Sequence, residues 1–100
     1  MTGFDTVIHP PARLQIMAVL TNVQDAEFAL LRTTTQVSDS VLSKHLSALV
    51  EAGYVALRKG PSDGRSRTWA SATRAGRKAF AAHVAALTAL AGIAERAAAE

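Results

Sequence analysis

The sequence predicts a mostly helical α+β domain with one two-stranded hairpin and a long C-terminal helix. Three observations carry this. Apolar residues recur at helical spacing in separate stretches along the chain. Residues 54–72 alternate on either side of a basic turn containing Pro61 and Gly64, the pattern of a hairpin. Alanine accumulates after residue 75, which favours helix and close helix–helix approach.

Each element follows from local chemistry. Residues 1–9 form a short arm with scattered apolar residues Phe4, Val7 and Ile8. Pro10 and Pro11 suit a first helical turn, where a missing backbone N–H costs nothing. Leu14, Met17, Ala18 and Leu20 then mark the inner face, widened by Ile16 and Val19. Ala26 to Phe28 reads as a short extended piece. Ala29 to Thr34 reads as a short helix with Leu30 and Leu31 inward, ended by β-branched Thr33, Thr34 and Thr35. Ser38 is an N-cap for the next helix, and Asp39 suits its positive end. Leu42, Leu46 and Leu49 give that helix its apolar stripe, and Gly53 terminates it at the C′ position. "YVALRK" and "SRTWASA" read as strands around the turn "GPSDGR", with Asp63 and Gly64 at its tip. Thr73 caps the last helix, 73–99. No internal repeat or linker interrupts this single domain, 1–100.

Composition excludes several functions. The chain has no cysteine, which removes disulfides, thiolate metal sites and cysteine nucleophiles. His9, His45 and His83 are far apart in sequence with no paired spacing, so no metal site is expected. Neither a nucleophile elbow nor a Gly-rich phosphate loop occurs, and neither enzyme activity nor a cofactor is expected. The N-terminus lacks the basic and apolar regions of a signal peptide. No apolar run reads as a bilayer span. The expected location is the cytoplasm.

Charge is unevenly placed. Residues 58–78 hold Arg58, Lys59, Arg65, Arg67, Arg74, Arg77 and Lys78 against Asp63 alone. The net charge of the whole chain is only +3, so the remainder is mildly acidic. A local cationic excess suits a polyanion; a solvated turn charged for solubility is the other reading.

The helix over 38–52 supplies a complementary surface. With its leucines inward, helical geometry puts Ser40, Ser43, Lys44 and Ser47 outward. Short polar side chains let a helix lie deep in a major groove about 12 Å wide. Its N-terminus at Ser38 offers backbone N–H groups to phosphate. An ordinary solvated serine face is the bland alternative. Arg65 near the hairpin tip has the reach to enter a minor groove, and Arg58, Lys59 and Arg67 can hold phosphate. His45, beside the leucine stripe, either braces the helix or contacts phosphate.

The segment "VSDSVLSKHLSALVEAGYVALRKGPSDGRSRTWASATRAGRKAF" resembles the bacterial winged helix-turn-helix repressors of the MarR and ArsR type, especially the short stand-alone regulators. The matching parts are the helix "SDSVLSKHL", "EAGYV", the Arg- and Gly-containing wing and the "TRAGR" start of the last helix. The likeness spans residues 10–82. It implies a recognition helix at 38–52, a wing at 54–72 and a homodimeric transcriptional regulator, most often a repressor. Two positions depart from the pattern: Gln36 stands where glycine is common, and Val41 where a polar residue is common.

A dimer also follows from half-site arithmetic. Specific reading usually takes two half-sites about 34–36 Å apart. The last helix would extend roughly 37 Å at 1.5 Å per residue, more than one small domain needs. Its stripe of Phe80, Val84, Leu87, Leu90, Ala91 and Ala94 is the expected dimer surface, with Phe4, Val7 and Ile8 packing across the partner. The expected partners are therefore a pseudo-palindromic DNA duplex and a second copy of the chain, with no membrane. No polar cluster marks a small-molecule effector site. A winged helix used as a protein-interaction module is the alternative function.

Overall fold

The computed structural model describes residues 4–62 and 64–99. Asp63, expected at the hairpin tip, lies outside them, as do residues 1–3 of the arm. The element order is α1 (Pro11–Leu20), β1 (Ala26–Glu27), α2 (Phe28–Thr35), α3 (Asp39–Glu51), β2 (Val55–Ser62), β3 (Arg65–Ala72) and α4 (Arg74–Ala99).

Helix α1 starts at the expected prolines, with Pro10 in extended conformation before it. Ile16, Met17 and Leu20 are buried. Ala18, expected on the inner face, is exposed, because the α1 stripe is narrower than its run of apolar residues suggests. The C-terminus of α1 is capped from a distance. The Arg77 guanidinium on α4 donates to the carbonyls of Leu20, Thr21 and Val23. A cation there satisfies orphan carbonyls and complements the helix dipole.

Helix α2 ends at Thr35, one residue past its expected end at Thr34, and starts one residue earlier, at Phe28. Each threonine hydroxyl donates to the carbonyl four residues back: Thr33 to Ala29, Thr34 to Leu30, Thr35 to Leu31. Leu31 is buried, but Leu30 is 51% exposed, which corrects the expectation that both face inward. The helix ends at Gln36 in the left-handed conformation, φ 57°. A residue with a Cβ pays strain there that glycine avoids.

Helix α3 is bounded as the sequence indicates. The Ser38 hydroxyl accepts from the Val41 amide at 3.3 Å. Leu42, Leu46 and Leu49 are buried. At the other end Tyr54 N–H donates to the Leu49 carbonyl and Gly53 N–H to Val50, both at 2.9 Å. That pair of bonds is a Schellman motif, and Gly53 supplies its left-handed residue at φ 82°.

The paired strands run further toward the tip than expected. Strand β2 pairs antiparallel with β3 from Val55↔Ala72 to Ser62↔Arg65. Pro61, expected in the turn, sits in β2, an edge strand where a missing donor is tolerated. Strand β1 pairs with the other side of β3 through Ala26↔Ala70 and Glu27↔Trp69, giving the order β1-β3-β2.

Helix α4 begins against the end of α3. The Thr73 hydroxyl accepts from Gly76 N–H at 2.9 Å and donates to the Gly53 carbonyl at 2.6 Å. A Cβ on Gly76 would lie 2.1 Å from the Tyr54 carbonyl oxygen, so this approach admits only glycine. Beyond His83 the helix leaves the domain. Only Gly76 and His83 are buried along its 26 residues. The molecule is 60 Å long and 25 by 21 Å across. Its radius of gyration, 15.4 Å, exceeds the roughly 13 Å of a compact 100-residue domain because of this projection. By length and composition alone α4 reaches the minimum for a bilayer span. The sequence reading missed this because alanine, rather than large apolar residues, supplies the stretch.

The arm corrects another expectation. Ile8, expected at a dimer interface, is fully buried in its own chain's core, and Val7 packs against that core. Phe4 sets its ring edge-on to His9 and His83. The arm is thus occupied intramolecularly. Phe80 also packs partly against the core.

Candidate nucleic-acid interface

Helix α3 and the hairpin create one continuous face. Ser38, Ser40, Ser43, Lys44 and Ser47 are all exposed on α3. The Ser38 hydroxyl is already engaged as cap and lies 3.3 Å from that of Ser40. Val41, 40% exposed, places one apolar point in this polar face. Between α3 and the hairpin runs a groove of about 230 Å³ lined by Phe28, Ser43, Leu46, Ser47, Leu57, Lys59 and Thr68. The structure brings Ser43, Ser47 and Lys59 together there, although Lys59 is distant in sequence from the serines.

The basic residues divide into two groups. Arg65 and Lys59 are exposed on the wing, and among the described residues neither has an ion-pair partner. Arg58 and Arg67 are committed elsewhere. Arg58 pairs with Asp25 at 3.2 Å and stacks over the Trp69 ring, 5.5 Å from its centre. Arg67 forms an ion pair with Glu27. Arg77 caps α1 and is likewise spent internally. The cationic excess read from residues 58–78 is therefore smaller at the surface than the sequence count. Asp25 and Glu27 are the residues that sequence reasoning missed. Asp25 precedes, and Glu27 lies in, the two-residue strand β1, whose pairing with β3 is not visible locally. A third pair, Arg32 with Asp39 at 3.3 Å, joins α2 to the start of α3.

His45 braces α3, as one of its two readings held. Arg13 on α1 donates its Nε–H to His45 Nδ1 at 3.0 Å. Burial first, and the neighbouring Arg13 guanidinium second, push the imidazole below its ordinary range. It faces the helix support rather than the open groove.

A three-helix core, a helix-turn-helix at α2–α3 and a three-stranded sheet ending in a wing together define a winged helix-turn-helix domain. The pattern of the winged helix DNA-binding domain family matches residues 12–91, and the chain belongs to that family. An uncharacterized protein of Methanocaldococcus jannaschii is 34% identical over 80 residues, covering 80% of this chain and 83% of its own. A transcriptional regulator homologue from Pyrococcus horikoshii superposes with a TM-score of 0.79 at 26% identity, covering 86% of this chain and 85% of that one. A protein of the MarR transcriptional-regulator family from Enterococcus faecalis shares the fold with a TM-score of 0.80 at 18% identity, covering 95% and 86%.

Proposed function

We propose that the protein is a homodimeric, sequence-specific double-stranded DNA-binding regulator that represses transcription in the cytoplasm by occupying a pseudo-palindromic operator. The observation that carries this is the serine-lined α3 face set beside a wing bearing Arg65 and Lys59. Ser40, Ser43, Lys44 and Ser47 meet base edges and phosphates in the major groove, and the α3 N-terminus at Ser38 meets phosphate. Arg65 enters the minor groove and Lys59 holds the backbone. Arg58 and Arg67 contribute phosphate contacts only by exchanging Asp25 and Glu27 for DNA. The second copy docks along Val84, Leu87, Leu90, Ala91 and Ala94 of α4, where Val84 and Leu90 are 41% and 44% exposed.

Selection from a random duplex pool, followed by affinity measured against salt, tests this reading. Lys44→Ala and Arg65→Ala should each weaken binding and each reduce the logarithmic salt slope by about 0.9. Unchanged affinity and slope in both variants would remove the two residues from the mechanism. The neutralisation of Arg58 and Arg67 favours a second reading, a winged helix that docks a protein. Failure to retain any duplex at low salt would select that reading.

A further inference from the structure

All three histidines of the chain are placed so that only a neutral ring fits. The Asp5 backbone N–H donates to His83 Nδ1 at 2.9 Å. An amide N–H cannot accept, so that nitrogen must carry a lone pair. Neutral His83 then has its proton on Nε2, which lies 3.2 Å from His9 Nδ1. His9 must accept there. The Arg13 guanidinium, also a donor only, points its Nε–H at His45 Nδ1. An imidazolium carries N–H on both nitrogens, so protonating any of the three sets donor against donor.

These contacts form one path. His83 on α4 holds the arm through Asp5 and His9. The arm holds Arg13 through the Val7 carbonyl at 3.1 Å. Arg13 holds His45 on α3. We propose that residues 5–9 are a proton-sensitive latch, closed only while His9, His45 and His83 are neutral, that ties α4 to the recognition helix α3. The latch is independent of the DNA-binding reading.

Charged groups around the latch fix which groups titrate. The Asp5 carboxylate is the anion nearest His83 and favours a cationic ring, against the hydrogen-bond pattern. Burial alone would raise the Asp5 carboxyl, but the Tyr54 hydroxyl and the Ile8 and Val7 amides together hold it below its ordinary value. Asp5 hydrogen bonding, then burial, pushes Tyr54 upward. Asp5 thus stays charged and Tyr54 neutral across the near-neutral range. The Arg13 cation on α1 opposes a charge on His45. On α4, Arg77 is turned away toward the end of α1. Burial, then the Arg13 guanidinium, holds His45 below its ordinary range in the closed state. The open state therefore binds more protons there, and latch stability is present at higher pH and lost as pH falls through the lowered range of His45.

The test is solution NMR and amide exchange on the full chain, without DNA. At about pH 7.5 all three rings should show the Nε2–H tautomer. On moving to about pH 5.5, protection of the arm amides should fall by about tenfold relative to β3, after correction for intrinsic rates. His45→Gln, whose side-chain oxygen accepts from Arg13 without titrating, should leave arm opening intact but make α3 exchange insensitive to pH. His9 is exposed, so His9→Ala should fold; it should bring arm protection at about pH 7.5 toward the acid value. A proton on Nδ1 of His45 or His83 at about pH 7.5, or arm protection unchanged by acid or by His9→Ala, would overturn the latch.

Discussion

Glu27 decides how much of the wing's charge reaches a ligand. Its carboxylate occupies Arg67, and Asp25 occupies Arg58, so two of the four basic wing residues are neutralised before any partner arrives. Removing one carboxylate should therefore strengthen non-specific binding to a polyanion. Glu27→Gln is expected to raise duplex affinity at low salt several-fold and to steepen the logarithmic salt slope by up to about 0.9 as Arg67 is released. Unchanged affinity would mean that Arg67 does not reach the duplex even when freed. At this scale the sequence was legible where one residue acts on its own neighbours. Ser38, Gly53 and Thr73 are caps that any reader can place, because a cap acts over three or four residues. It was illegible where partners come from afar. Nothing near Arg67 announces Glu27, and nothing near His83 announces Asp5, 78 residues away.

Among the elements, the α3–α4 junction is the most exacting. The Schellman bonds fold the chain back at Gly53, Thr73 spans from the Gly53 carbonyl to the Gly76 amide, and Gly76 lies against Tyr54. Gly76→Ala places a methyl group 2.1 Å from backbone oxygen, which no side-chain rotation relieves. The substitution should destabilise the fold by at least about 2 kcal/mol and lower Tm by roughly 10 °C. A thermal melt with no measurable shift would show that the junction yields. Helix types and order were readable from apolar spacing, and α3 matched its expected limits closely. The turn of the wing was misjudged because Pro61 and Gly60 look like turn residues, yet edge-strand geometry accommodates both. The threonines of α2 close the helix within one residue of the expected end, and each hydroxyl finds a carbonyl within it.

For the whole molecule the decisive feature is the free length of α4. Leu90 and Ile93 are 44% and 47% exposed on a helix that has already left its domain. Such apolar exposure in line along a helix suits a partner helix better than solvent. Leu90→Glu and Ile93→Glu together should convert a dimer to a monomer while leaving the circular dichroism of the domain unchanged. Sedimentation of both proteins at matched concentration would show it. A native chain that sediments as a monomer would remove α4 as the interface. The double variant should also lose specific more than non-specific DNA affinity, since one half-site supplies only part of the discrimination. The arm was the element most misplaced from sequence. Phe4, Val7 and Ile8 looked like surplus hydrophobes awaiting a second chain, but Ile8 is buried in its own chain's core, Val7 packs against that core and Phe4 lies edge-on to His9 and His83.

The glycine seam at residue 76 has a mechanical corollary. Because α4 is bolted to the foot of α3 with no room to slide, the angle at which two subunits cross would be passed undamped to both reading heads. A pair built this way behaves as a rigid calliper. Inserting a single base pair between half-sites turns one relative to the other by about 35°, and such a calliper has no joint with which to follow it.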